Sequence, residues 1–125
     1  MIEYNPNPLG KKVGDCTVRA ISKVLEESWE TTYVGLCMQG FIMCDIPNAN
    51  SVWGAYLRSK GFKRDIVSND HPDCYTVQDF CREHPKGRYV LAADGHVVAC
   101  CDGSIFDSWD SSNEIVIYYW HKEEE

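Results

Sequence analysis

The sequence lacks the features on which nucleic-acid binding and membrane insertion depend. Its formal net charge is −7 at pH 7, and it has no long basic segment that would neutralise phosphates. No apolar run approaches the roughly 20 residues needed to cross a bilayer, and the first residues lack the basic and then apolar pattern of a signal peptide. We therefore expect a cytoplasmic protein that binds neither nucleic acid nor membrane.

Cysteine is abundant, but the spacings typical of zinc sites and of secreted disulfide scaffolds are missing. The chain has seven cysteines, an odd number, and no CxxC pair. Reduced thiols are the simpler interpretation, and at least one cysteine is then free to react. We expect neither a metal ion nor another cofactor.

Length and periodicity predict one domain, residues 1–125, of the α+β class. Its 125 residues are 44% hydrophobic, which is enough for a single core. Residues 1–14 show no periodicity and predict an irregular lead-in, after which helical spacing dominates the first half and strand-like segments the second. The expected architecture is a set of N-terminal helices packed on a C-terminal antiparallel sheet, with the last four strands in a meander. The first predicted helix begins at Cys16, and three more cover residues 31–43, 49–60 and 76–83. The predicted strands are 62–67, 88–92, 96–101, 104–109 and 114–120.

Cys16 lies at the predicted start of the first helix, where a thiol is most easily ionised. Asp15 is a favourable N-cap residue, and an apolar face at helical spacing follows it. Unpaired N–H groups and the helix dipole stabilise a thiolate there, and the N–H of Cys16 itself is available to a developing oxyanion. The alternative is a small residue that is simply buried at a helix start, and position alone favours that alternative.

A histidine and an aspartate are predicted to meet across a hairpin in the second half. Asp102-Gly103 is a strong signal for a two-residue turn, which would pair Cys101 with Ser104. Extending the same ladder brings His96 and Asp107 to one face of the sheet as diagonal cross-strand neighbours. The pattern therefore predicts a general base and the acid that orients it.

The same register distinguishes between neighbouring side chains. Asp110 falls on the opposite face, so Asp107 is the preferred partner of His96. Trp109 lies directly across from His96 and is expected to cover the histidine–aspartate bond against water. A slip of one residue would transfer the choice to Ser108 or change the face entirely.

Three short motifs resemble those of the papain-like cysteine peptidases. They are Gly14-Asp15-Cys16-Thr17 opening an apolar helix, Gly95-His96-Val97-Val98 opening a strand, and Asp107-Ser108-Trp109 on the next strand. Their chain order matches the family's order of Cys, His and then Asn or Asp, and the likeness is greatest to small single-domain members from bacteria and phages. The resemblance implies a papain-like fold and a cysteine peptidase, or related thiol hydrolase, acting on a peptide or protein substrate.

The resemblance also assigns roles. Cys16 would attack a carbonyl carbon as a thiolate, and the intermediate would be a thioester. His96 would share the thiol proton and later protonate the leaving amine, and Asp107 would orient the imidazole. Two other functions stay open: a catalytically inactive papain-fold binding module, and a phage-type peptidoglycan amidase or endopeptidase.

One departure from the family concerns the oxyanion hole. Papain has a Gln six residues before its nucleophile, and here that position is Gly10. Asn5 and Asn7 in the lead-in carry suitable amides, although both are also typical Asn-Pro turn formers.

A second departure is the carboxylate of Asp15, which lies next to the nucleophile. A carboxylate there would raise the pKa of the Cys16 thiol. We expect an N-cap role to direct that charge into the helix backbone, and Arg19, one turn away, to offset it.

Overall fold

The structure is a computed structural model that describes residues 2–4, 6–67 and 75–122. Over these residues the chain is α+β, with four helices and a six-stranded sheet. In chain order the elements are β1 (Ile2–Tyr4), α1 (Cys16–Leu25), α2 (Trp29–Met43), α3 (Asn50–Ser59), β2 (Phe62–Ile66), α4 (Val77–Glu83), β3 (Arg88–Ala93), β4 (His96–Cys101), β5 (Ser104–Asp107) and β6 (Tyr118–Lys122).

Helix α1 is the most deeply packed helix of the fold, and it carries Cys16 at its first position. Seven of its ten residues are buried, because α1 packs against α2 on one side and against β4 on the other. Ile21 is fully buried, which contributes about 1.5–3 kcal/mol relative to an exposed side chain. This packing fixes the helix start against the first residues of β4.

The sheet has the strand order β1-β5-β4-β3-β6-β2. Strand β1 pairs with β5 in parallel, and every other pair is antiparallel. Apolar residues alternate along the central strands and build two cores. Val90 and Ala99 belong to the core under α1–α3, whereas Leu91 and Val98 belong to the core under α4.

Helix α2 has an unusually small buried face. Only three of its fifteen residues, Thr32, Leu36 and Gly40, are buried, and they recur every four positions along one stripe. Large apolar side chains, including those of Phe41 and Ile42, lie exposed on the rest of the helix.

Two sequence-based expectations about the sheet were wrong. The lead-in was expected to be irregular, yet Ile2–Tyr4 forms a strand that makes the sheet mixed rather than purely antiparallel. The last four strands do not form a meander, since β6 pairs with β3 and β2 instead of β5. The reason lies in residues 114–117: their backbone bonds to residues 75–77 and to Ala92, which carries the chain past β5 to the other side of β3.

Candidate active site

Cys16, His96 and Asp107 come from three different elements that meet at one end of the sheet. Cys16 is the first residue of α1, His96 the first of β4 and Asp107 the last of β5. The contacts of α1 with β4 and β5 bring these ends together. The three residues proposed from the sequence therefore lie in one cluster.

His96 and Asp107 form a short, buried hydrogen bond. The distance from His96 Nε2 to Asp107 Oδ2 is 2.6 Å, with side-chain exposures of 10% and 1%. The predicted register is confirmed, because Cys101 pairs with Ser104 and the ladder continues from there. Asp102-Gly103 forms the turn, with the positive φ values of 51° and 82° that a tight hairpin needs.

Asp107 is held by more than His96. Its Oδ2 also accepts a bond from the Ser111 hydroxyl at 2.6 Å, and its Oδ1 accepts bonds from the Ser108 N–H at 2.7 Å and from Arg19 at 3.1 Å. Burial by itself would raise the pKa of this carboxyl, but the bonds from His96, Ser111 and Arg19 outweigh burial and lower it. Asp107 is therefore a fixed, ionised acceptor.

The predicted strand 104–109 ends two residues early, at Asp107, where the chain turns to bring hydrogen-bond donors to the Asp107 carboxylate. After Asp107 the chain turns so that the Ser108 N–H and the Ser111 hydroxyl face the carboxylate.

The Cys16 thiol is half-buried and lines the same cavity as His96, whose proximity lowers the pKa of the thiol. Because Nε2 of His96 binds Asp107, the ring nitrogen left for the sulfur is Nδ1. Burial would raise the pKa of the thiol, yet the bonds with His96 and the Val97 backbone, together with the charges of His96 and Arg19, lower it. Thiolate is thus favoured at Cys16.

The complementary effect acts on His96. Burial lowers its pKa, but the hydrogen bonds to Asp107 and Cys16 and the negative charges of both raise it from 6.5 to about 9. A lowered pKa of the thiol beside a raised pKa of the imidazole favours the thiolate–imidazolium pair over the neutral pair.

Asp15 does not cap α1 in the way the sequence suggested. It occupies the N-cap position, but its side chain makes no capping bond. Its carboxylate instead accepts bonds from Asn7 at 3.0 Å, Arg19 at 3.0 Å and the Trp29 indole at 3.1 Å. Burial opposes ionisation of Asp15, and these bonds more than compensate, so its pKa is lowered. The expectation that Arg19 offsets this charge agrees with their ion pair.

Of the two candidate side-chain donors of the oxyanion hole, Asn5 and Asn7, only Asn7 is among the described residues. Asn7 donates one amide N–H to Asp15, and its Oδ1 accepts the backbone N–H groups of Leu9 and Lys11, so the lead-in holds it in one orientation. A role for Asn7 as oxyanion donor remains a prediction that rests on its second amide N–H.

Trp109 lies against His96, although it lies beyond the end of β5 and is not the ladder partner that the register predicted. Their ring centroids are 4.7 Å apart and their planes are tilted by 41°. With 47% of its surface exposed, the indole covers only one side of the histidine.

A cavity lies beside Cys16 and His96. It has a volume of about 440 Å³ and is lined by both residues, and Trp53 and Tyr118 supply aromatic walls. A more apolar cavity of about 620 Å³ adjoins it at Gly14 and continues along α2.

Sequence reasoning missed Ser111, Trp29 and the second ion pair of Arg19. A signal did exist for Arg19, since it lies between the apolar residues Val18 and Ala20 near the start of a predicted buried helix. Only the folded chain shows that Asp107, 88 residues away, is its partner.

The described residues contain neither a metal-binding cluster nor a membrane-spanning helix. No group of three or more His, Cys, Asp or Glu side chains is placed to hold a metal ion within the ranges 2–4, 6–67 and 75–122. Over the same part of the chain, no helix combines the length and apolarity needed to span a bilayer.

The chain was also compared with known proteins. No protein-family model, no curated protein and no solved structure matches it. The chemistry of the site therefore has to be inferred from its own geometry.

Proposed function

We propose that this chain is a cysteine peptidase, or a related thiol hydrolase, with a papain-like arrangement of its active site. The observation that carries the proposal is the short buried His96–Asp107 bond beside Cys16 at one cavity, where the pKa of the thiol is lowered and that of the imidazole is raised to about 9. A buried structural cysteine has no need of such an arrangement, whereas a nucleophile does. The substrate would be a peptide or protein amide bond.

The first half of the reaction forms a thioester. The Cys16 thiolate attacks the carbonyl carbon, and the negative charge moves to the carbonyl oxygen, where the N–H of Cys16 at the open helix start can bind it. The His96 imidazolium then gives its proton to the leaving amine as the C–N bond breaks. Throughout this step Asp107 holds the ring in position.

The second half releases the acid. Water attacks the thioester while the now neutral His96 takes one of its protons, and the C–S bond breaks to regenerate the thiolate and the imidazolium. No oxidant or metal enters this balance. The cavity beside Cys16 and His96 gives both the substrate and the water access.

The specific observation that favours an inactive binding module is the absence of the papain glutamine at its expected sequence position. The backbone N–H of Cys16 is one donor, and Gly10 stands where papain supplies the second. Loss of one such donor costs about 10²–10³-fold in rate, which weakens an acyl-transfer enzyme without abolishing it.

Nucleophilicity can be tested inside one molecule, because Cys44 is an exposed cysteine at the end of α2. The native protein would be treated with a limiting amount of iodoacetamide at pH 6, and the alkylation of the two residues compared by peptide mass spectrometry. We expect Cys16 to react at least about tenfold faster than Cys44, since the thiolate is the reactive form. A His96→Gln variant in which Cys16 slows to the rate of Cys44 would tie the reactivity to the pair.

Hydrolysis is the second measurement. Wild-type protein, Cys16→Ser and the control Cys44→Ser would be assayed on a fluorescent casein, on a peptide library and on peptidoglycan fragments. We expect wild type and Cys44→Ser to cleave peptides and Cys16→Ser to be inactive. Cleavage of peptidoglycan alone would indicate the amidase. A fast-reacting Cys16 with no cleavage of any substrate would favour the binding module.

A further inference from the structure

The buried Arg19 links the two acidic residues that flank the reacting pair. It lies one helical turn after Cys16 on α1 and is 6% exposed. Its Nε donates to Asp15 Oδ1 at 3.0 Å, and a terminal guanidinium nitrogen donates to Asp107 Oδ1 at 3.1 Å. One side chain thus contacts both the neighbour of the nucleophile and the acid that orients the base.

We propose that Arg19 is a positioning residue of the candidate active site, which aligns Asp107 with His96 and balances the buried negative charge around Cys16. This inference rests on the proposed function. It extends that function to a residue that lies outside the cysteine–histidine–aspartate network.

The first part of the inference concerns geometry. Arg19 and the Ser108 N–H both bind Oδ1 of Asp107, which leaves Oδ2 turned towards His96. Because Arg19 belongs to the same helix as Cys16, its bond also ties the nucleophile's helix to β5. The guanidinium can do this since its separate N–H groups point at two carboxylates at once, which an ammonium on a lysine stem cannot reproduce.

The second part concerns charge. The titratable and charged groups at the reacting pair come from four parts of the chain, namely α1 with the residue before it, β4, β5 and the β3–β4 turn. These groups are Asp15, Cys16, Arg19, Asp94, His96 and Asp107. With Cys16 ionised, the buried carboxylates and the thiolate carry three negative charges against the two positive charges of His96 and Arg19. Without Arg19 the excess negative charge would double, and a buried excess of one sign draws protons onto its members.

A purely structural role makes a different prediction. A buried ion pair is often no more stabilising than apolar residues of the same size, so stability alone is a weak reason for its presence. If Arg19 only held the fold together, its removal would change the unfolding midpoint but leave the pH dependence of Cys16 reactivity in the folded protein unchanged.

The test measures the rate of Cys16 alkylation from pH 4 to pH 9 in full-length wild type, Arg19→Met, Arg19→Lys and the double variant Arg19→Met/Asp107→Asn. The control is Arg82→Met, which removes an arginine of the solvent-exposed ion pair with Asp79. Circular dichroism and a cooperative urea transition establish that each variant is folded before its profile is used.

The expected results separate charge from geometry. Removing a neighbouring opposite charge raises a thiol pKa by about one unit or more, so the alkylation profile of Arg19→Met should move to higher pH by about one unit, which is about tenfold slower alkylation on the acid side of the midpoint. Arg19→Lys should keep most of the reactivity at pH 6 but lose kcat, because Asp107 is no longer held. The double variant removes one charge of each sign and should recover reactivity at pH 6 relative to Arg19→Met.

Two outcomes would overturn the inference. One is a folded Arg19→Met protein with the alkylation profile and kcat of wild type. The other, decisive if Arg19→Met does not fold, is an Arg19→Lys protein with unchanged kcat. Failure of the proposed function appears differently: wild-type protein would hydrolyse nothing, while the alkylation profiles would still report whether Arg19 sets the charge balance.

Discussion

The sheet carries two histidine–aspartate pairs that bridge neighbouring strands diagonally. His96 and Asp107 lie on β4 and β5, and His121 and Asp65 lie on β6 and β2. In the second pair His121 stands opposite Lys63, two residues from Asp65, so that pair is diagonal like the first. The distances from the histidine Nε2 to the carboxylate oxygen are similar, at 2.6 Å and 2.8 Å.

The two pairs differ in their surroundings. The Asp107 side chain is 1% exposed and accepts bonds from Arg19, Ser108 and Ser111, whereas the Asp65 side chain is 49% exposed. An ion pair in contact with water contributes little to stability, because solvent screens its charges. A buried network in which every polar group has a hydrogen-bond partner is stronger and more rigid. Register brings a histidine and an acid together, and burial beside a thiol makes one such pair a candidate active site.

The largest expected difference between the pairs is in activity. His96→Gln removes the group that shares a proton with Cys16 and protonates the leaving amine, so kcat/KM should fall by about 10²–10⁴-fold. His121→Gln removes the matched histidine of the exposed pair and should leave kcat/KM within about twofold of wild type. The measurement is hydrolysis of a peptide substrate at pH 7 by both purified variants. Equal losses in the two variants would contradict the assignment of the base.

The helix start and the hairpin register could be predicted from sequence because both are local. Asp102-Gly103 favours one turn type, and that turn sets the pairing of every residue before and after it. The apolar spacing after Cys16 similarly defines the start of α1. Together they were sufficient to bring Cys16, His96 and Asp107 into one prediction.

The features that sequence reasoning missed depend on distant contacts. Strand β1 has three residues, all exposed, so it is too short and has no buried face to mark it, and only its pairing with β5 defines it. Asp15 has the identity of a cap residue, but Asn7, Arg19 and Trp29 together provide a better set of partners for its carboxylate. Local propensity cannot anticipate partners that arrive from another element.

The next prediction concerns stability and its pH dependence. Asp107→Asn removes charged hydrogen bonds to buried partners and should lower the free energy of unfolding at pH 7 by about 1.5–3 kcal/mol. Asp65→Asn changes an exposed pair and should cost no more than about 1 kcal/mol. Urea titrations of wild type and both variants at pH 7 and at pH 3 measure these differences.

The sign of the pH effect follows from the lowered pKa of Asp107. A carboxyl with a folded pKa below its ordinary value of 3.8 stabilises the protein above about pH 3.8, and this contribution is lost as the pH falls through the folded value. The gap in stability between wild type and Asp107→Asn should therefore narrow at pH 3. A gap of the same size at both pH values would show that Asp107 does not act through its charge.

Above neutral pH, the pH dependence of stability does not isolate one residue, because two contributions oppose each other there. His96, with its pKa raised to about 9, stabilises the protein fully below pH 6.5 and loses that contribution as the pH rises through about 9. The lowered pKa of Cys16 acts in the opposite direction, since its contribution grows as the pH rises through the folded value. The acid limb is therefore the better place to compare Asp107 with Asp65.

The smallest expected effect is that of Ser111, one of the partners that distinguish Asp107 from Asp65. Its buried hydroxyl donates to Asp107 Oδ2, the same oxygen that faces His96, whereas the hydroxyl of the adjacent Ser112 donates to the exposed Asp110. Ser111→Ala should cost about 1 kcal/mol of stability. If the whole of that loss reached the transition state, kcat/KM would fall about fivefold, which sets the upper limit of the effect.

Ser112→Ala is the matched control and should change neither quantity measurably. Urea midpoints and kcat/KM of the two serine variants, compared side by side, provide the test. If Ser111→Ala behaves like Ser112→Ala, the hydroxyl does not help to hold the Asp107 carboxylate. What separates Asp107 from Asp65 would then reduce to burial, the Ser108 N–H and the charge of Arg19, and the Arg19 variants would test the last of these three.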